Sequence, residues 1–213
     1  MSSMQTQLLT DTWIAANWDE YLQTIEAPAY EKAKAYYHDG RMRLEMAPVG
    51  SDHACDHTVI MVAISLFAAL KAIPLTGRDN CTYRKIGFDD AQPDASYYIG
   101  DNADIVPWGT TIIDLDSYPA PALVIEVANT SLEDDKGEKR LLYEDLQVRE
   151  YWIVDVKNVQ ILAFTIENNG SRRINQSMVL PGLSIPLLRE ALQRTRQMNQ
   201  SQVVAWLLSQ FQQ

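Results

Sequence analysis

Three side chains in this sequence have chemistry that their positions do not obviously allow. Glu126 stands inside the apolar run LVIEVA, Asp94 follows Pro93, and Lys139 lies on an otherwise apolar helical stripe. An ionised carboxylate in a buried strand is costly unless it is paired, protonated or bound to a cation. Residues two apart on a strand share a face, so Glu126 points with Ala122, Val124 and Ala128, away from Leu123, Ile125 and Val127. A neighbouring strand that opens with Asp94 brings a second carboxylate. Together the two acids make a hard, oxygen-rich pocket suited to Mg²⁺ or Mn²⁺.

Lys139, Leu142, Tyr143 and Leu146 follow the spacing of one helix face, and the long lysine stem lets its ammonium reach past the apolar layer. Aimed at the Glu126 pocket, that ammonium would stabilise a developing phosphorane or hold an attacking water. Asp135, one turn earlier, would orient it, and Tyr143 would pack beneath it. Structural readings stay open beside these: an arginine neutralising Glu126, a turn-forming Asp94, or a snorkelling Lys139.

The elements that must position these residues follow from pattern. A helix is expected over 13–26, with Trp18, Leu22 and Ile25 on one stripe. Asp39-Gly40 between two strand-like runs predicts a β-hairpin. Ser51 can cap a helix over 52–71. Strands are expected over 81–86, 95–99 and 122–128, a helix over 134–146, and strands over 150–156 and 159–166. Residues 167–170 read as a turn, 172–180 as a further strand, and Pro181-Gly182 as a break before a helical tail. In that tail Val203, Val204, Leu207, Leu208 and Phe211 form an amphipathic stripe. The order is that of a mixed α/β protein with helices packed on a sheet.

With 213 residues and no visible repeat or linker, one domain over 1–213 is expected, its core at about 37–188 and its tail at 189–213. The 46% hydrophobic and 22% charged content is that of a soluble globular chain. Two cysteines, Cys55 and Cys81, exclude a disulfide-dense scaffold. The opening MSSMQTQLLTD lacks a secretory pattern, and the apolar run 59–70 is too short to span a membrane; a cytoplasmic location and no membrane partner are expected. A net charge of −10 disfavours general attraction to nucleic acid, leaves room for a local basic stripe, and suits metal cations.

Four stretches carry a family resemblance: HDGRMRLEMAP with the following His53, QPDASYYI, ALVIEVANTSLEDDKGEKRLLYEDLQVREYWIVDV, and LPGLSIPL. They resemble the Uma-type family, catalogued with restriction endonucleases, abundant in cyanobacteria and belonging to the PD-(D/E)xK nuclease superfamily. The resemblance runs from about residue 37 to 188. It implies a restriction-endonuclease-like α/β core: a mixed β-sheet flanked by helices, with an N-terminal β-hairpin and a C-terminal helical tail. Asp94 then corresponds to the aspartate of the PD element and Glu126 to the acid of the (D/E)xK element. Ala128 stands where the usual lysine would, and Lys139 fits the variant in which that lysine has moved to the following helix. Glu45 matches an acidic position near the metal, and His53 a recurring histidine. The chain departs from the family at Asn129-Thr130, where Ser-Pro is usual.

The implied activity is metal-dependent hydrolysis of DNA phosphodiester bonds, with Mg²⁺ (or Mn²⁺) held by Glu45, Asp94 and Glu126 and with Lys139 supporting the reaction. Phosphate contacts are expected from Arg41, Arg43, Arg84, Lys85 and Arg140. Cutting both strands of a duplex favours a homodimer. Two rival readings remain: a nuclease-fold protein that binds nucleic acid or a partner without cutting, and an interaction protein whose acidic pocket holds a stabilising ion.

Overall fold

The structure, a computed structural model, describes residues 9–46, 48–168 and 170–212. Met1 to Leu8, most of the opening stretch that lacks a secretory pattern, lie outside the described residues, as do Ala47 of the hairpin motif and Asn169 of the expected turn.

In chain order, β1 (Trp13–Ala15) precedes α1 (Trp18–Ile25), followed by β2 (Lys34–His38), β3 (Arg41–Glu45) and α2 (Ser51–Leu70). Strands β4 (Leu75–Asp79), β5 (Thr82–Lys85), β6 (Asp89–Ala91), β7 (Ala95–Ile99), β8 (Ile112–Asp114) and β9 (Leu123–Ala128) come next. Then follow α3 (Leu132–Lys136), α4 (Glu138–Asp145), β10 (Glu150–Asp155), β11 (Gln160–Glu167), β12 (Gly170–Ile174), α5 (Ile185–Thr195) and α6 (Gln200–Phe211).

The strands form two mixed six-stranded sheets, ordered β1-β3-β2-β6-β5-β8 and β12-β11-β10-β9-β7-β4. In the second, β9 runs parallel to β10 and antiparallel to β7. Its two faces have different covers. Leu123, Ile125 and Val127 pack with Val59, Ile60, Phe67, Leu188 and Leu207 of α2, α5 and α6. Val124 and Ala128 pack with Leu142 and Tyr143 of α4 and with Tyr36 and Ala91 of the first sheet. Glu126 therefore faces the layer between the sheets, on the side that strand alternation predicts.

Asp39 and Gly40 take φ values of 45° and 69°, the left-handed pair that a two-residue hairpin turn requires, and His38 pairs directly with Arg41. The same register sets Lys34 opposite Glu45 and Tyr36 opposite Arg43.

Several expected boundaries move. Residues 13–15 are not helical: Trp13, Ile14 and Ala15 pair with Arg43, Met42 and Arg41. The helix starts only after Asn17, whose side chain accepts from Glu20 N while Glu20 bonds back, a capping box that fixes the start. Ser51 is the first residue of α2 rather than its cap, which is Gly50, with no side-chain capping bond. The helix expected over 134–146 breaks into α3 and α4 at Gly137, where an added Cβ would lie 3.1 Å from Glu133 O. Among the described residues α2 is the one helix long and apolar enough to cross a membrane, which the run 59–70 alone is not. Its apolar face is packed in the core, and its buried Asp56 takes two bonds from Arg196, at 2.6 and 2.7 Å.

Candidate active site

Register brings the two principal acids together. Ala95 pairs with Ile125 across β7 and β9, so Asp94, one residue before, stands beside Glu126, one residue after. Directly opposed residues of antiparallel strands project to the same face. Asp94 is fixed there by the backbone N–H of Val127, which donates to Oδ2 at 2.7 Å. Its Oδ1 accepts from Lys34 at 2.7 Å, with His53 Nε2, from the first turn of α2, at 3.6 Å. Burial alone would push the Asp94 carboxyl up; the Lys34 ammonium, helped by His53, holds it well below the usual range.

Glu126 is 2% exposed. Its Oε1 accepts two phenol hydrogen bonds, from Tyr143 at 2.7 Å and Tyr36 at 3.1 Å. Lys139 Nζ stands 3.8 Å from the same oxygen. Burial, reinforced by Asp94 and Asp135, outweighs Lys139 and Lys34 and pushes Glu126 up to about 8.

Lys139 is 1% exposed and lies at the centre of a cage. Its ammonium is 2.9 Å from Glu45 Oε1, 3.2 Å from Asp135 Oδ1 and 4.2 Å from the centre of the Tyr36 ring. Burial would lower its pKa, but Glu126, Asp135 and Glu45 outweigh it and raise it well above the lysine range. The kink at Gly137 does not part Asp135 from Lys139, and Ser131 Oγ orients Asp135 at 2.6 Å. Glu45 also accepts from Arg43 Nε at 2.9 Å; burial opposes its ionisation, and Lys139 and Arg43 overcome this, lowering its pKa.

Asp94, Glu126, Glu45, His53 and Lys139 line one cleft of about 510 Å³, with Asn129 and Thr130, the positions that depart from the family pattern, also on its wall. The donors are of the kind a hard divalent cation takes, carboxylate oxygens with an imidazole beside them. Among the described residues no three such side chains stand close enough to form a finished cage; the Lys34 and Lys139 ammonium groups stand against these oxygens.

The residues expected to hold phosphate are dispersed. Arg43 is 6% exposed and tied to Glu45 and Asp134, each at 2.9 Å, so it builds the site from beneath. Arg84 pairs with buried Asp90 in the first sheet, Lys85 lies 5.7 Å over the Phe88 ring, and Arg140 bonds Glu144 and Ser171 at 3.0 and 2.6 Å. None of these three lines the cleft. Arg41 pairs with Glu138 and borders an open depression of about 480 Å³ that shares Arg43, Thr130 and Ser131 with the cleft. Lys32 and Lys34, which sequence reasoning missed, do line it.

Comparison with known proteins places the fold and the family. The mixed α/β fold is similar to that of a crystal structure described as "a putative nuclease belonging to DUF820 from Anabaena variabilis ATCC 29413", which superposes with a TM-score of 0.54 at 16% identity, over 90% of this chain and 99% of that one. The profile of the Uma2 family, described as "Putative restriction endonuclease", matches residues 18–200, and the chain belongs to that family. No curated protein matches it.

Proposed function

We propose that this protein is a metal-dependent endonuclease that hydrolyses DNA phosphodiester bonds in the Asp94–Glu126 cleft. One arrangement carries the reading: two acids set side by side by strand register, with the Lys139 ammonium brought to 3.8 Å from Glu126 by the following helices. Asp94, Glu126 and Glu45 would hold Mg²⁺, or Mn²⁺ in its place. A divalent ion there supplies charge neutralisation at the phosphate and acidifies water for attack.

The protein's own groups do the rest. Lys139, fixed by Glu45 and Asp135, faces the negative charge that builds on the phosphate and stabilises it where little water competes. Tyr36 and Tyr143 hold Glu126 in one rotamer, and the Val127 N–H does the same for Asp94. Lys32 and Arg41 supply salt-sensitive contacts to flanking phosphates. The N-terminal end of α2, with no side-chain cap at Gly50, presents its positive pole on the cleft wall. Cleaving both strands of a duplex calls for two such sites, hence a homodimer.

Incubating plasmid and single-stranded DNA with the purified protein in Mg²⁺, Mn²⁺ or chelator tests the reading. Cleavage with either metal, none with chelator and none by Asp94→Asn is the expected pattern. Binding of DNA without cleavage in any metal would replace the enzyme with a binding module.

A further inference from the structure

Two of the lysines that line the cleft, Lys139 and Lys34, are held in opposite ways. The Lys139 side chain is 2% exposed and has three carboxylates and an aromatic face around it. The Lys34 side chain is 20% exposed, and among the described residues its one ion pair is with Asp94 Oδ1 at 2.7 Å. The other Asp94 oxygen is committed to the Val127 N–H. Oδ1 is therefore the oxygen an incoming cation needs, and Lys34 stands on it.

We propose that Lys34 is a placeholder cation: its ammonium occupies the cation position at Asp94 Oδ1 and leaves when a divalent ion enters. The inference rests on the metal-site reading above and adds to it the residue that sets the affinity. Asp94 and Glu126 lie side by side in a buried cleft, and the Lys34 ammonium is the positive charge set directly against Asp94 Oδ1. An arginine would grip the carboxylate by two bonds and resist exchange. A lysine with one contact and a flexible stem at the cleft mouth can return to water at little cost. Lys139, enclosed on all sides, cannot.

Titrating Mn²⁺ calorimetrically into wild type and Lys34→Met, without DNA, decides the matter. With the competitor gone, Lys34→Met should bind Mn²⁺ about tenfold more tightly, as expected when one ligand no longer has to displace another. Its metal-free thermal midpoint should fall, because Asp94 loses its partner, and Mn²⁺ should raise that midpoint further than in wild type. Lys34→Arg should bind Mn²⁺ more weakly than wild type. Lys34→Gln, which keeps a hydrogen-bond donor for Asp94, serves the same comparison if Lys34→Met does not fold. Wild-type binding with equal or weaker affinity in the uncharged variant overturns the placeholder and leaves the metal site standing. No Mn²⁺ binding by either protein overturns both.

Discussion

Lys139 reaches Glu126 from the helix and not from the strand: its ammonium stands 3.8 Å from Glu126 Oε1, while Ala128, two residues after Glu126, packs among Leu142 and Tyr143. Replacing Lys139 by methionine removes the central cation from three acids. Cleavage should fall by about 10²-fold or more, the scale seen when one preorganised electrostatic contact is lost. Stability should fall by about 3 kcal/mol, at the low end for a broken buried pair because burial already favours the neutral form of Glu126. Cleavage kinetics and urea unfolding measure the two effects.

Tyr36 and Tyr143 converge on a single oxygen of Glu126. Removing either phenol as phenylalanine should cost about 1–2 kcal/mol. The pair should couple, because each bond holds the same carboxylate for the other. A double-mutant cycle by denaturant unfolding should give a non-zero interaction energy; strict additivity would contradict the shared clamp.

Glu150 is the counterpart that separates structure from chemistry. It too is a buried glutamate on a central strand, yet it accepts from the N–H groups of Met178 and Val179, from Ser177 Oγ at 2.9 Å and from Trp152 Nε1 at 3.0 Å. Among the described residues its oxygens are met by hydrogen-bond donors and by no cation. Glu150→Ala should lower stability by about 2–4 kcal/mol, the scale of a lost buried network. Cleavage per folded molecule should stay near wild type when assayed well below the melting temperature.

What the sequence discloses follows from how local the interactions are. Period-two alternation places Glu126 on the correct face of β9, and the Asp39-Gly40 turn fixes the hairpin register. That register already implied that Lys34 lies opposite Glu45 and Tyr36 opposite Arg43, so Lys34 and Tyr36, neither of which the sequence reading placed in the site, were recoverable by counting back from the turn. Other features depend on distant segments. Arg43 reads as a surface base until Asp134 folds over it. The strands LTGRD and DDA carry no apolar alternation, because β4 is an edge strand and the two aspartates of β6 are buried against Arg84 and His38. The solution for Glu150 arrives from residues 177–179, far along the chain.

His38 ties the hairpin to β6 through a 2.9 Å contact between Nδ1 and Asp89. The hydrogen bond to Asp89 outweighs burial and raises the imidazole above its ordinary 6.5. A raised histidine binds its proton more tightly when folded, so its contribution to stability is complete below 6.5 and fades as pH rises through the folded value. His38→Gln should therefore lower the thermal midpoint by several degrees in mildly acidic buffer and by less in alkaline buffer. A gap that widens with pH would contradict the pairing.

The central claim is that Glu126 is buried for catalysis and not for stability. The most direct measurement pairs plasmid cleavage in Mg²⁺ with the thermal midpoint of Glu126→Gln. The expected result is loss of cleavage with a midpoint equal to or above that of wild type, since the amide keeps the acceptor for Tyr36 and Tyr143 and removes an ionisable group from the interior. A variant that still cuts, or one that loses cleavage only because it melts, would contradict the assignment.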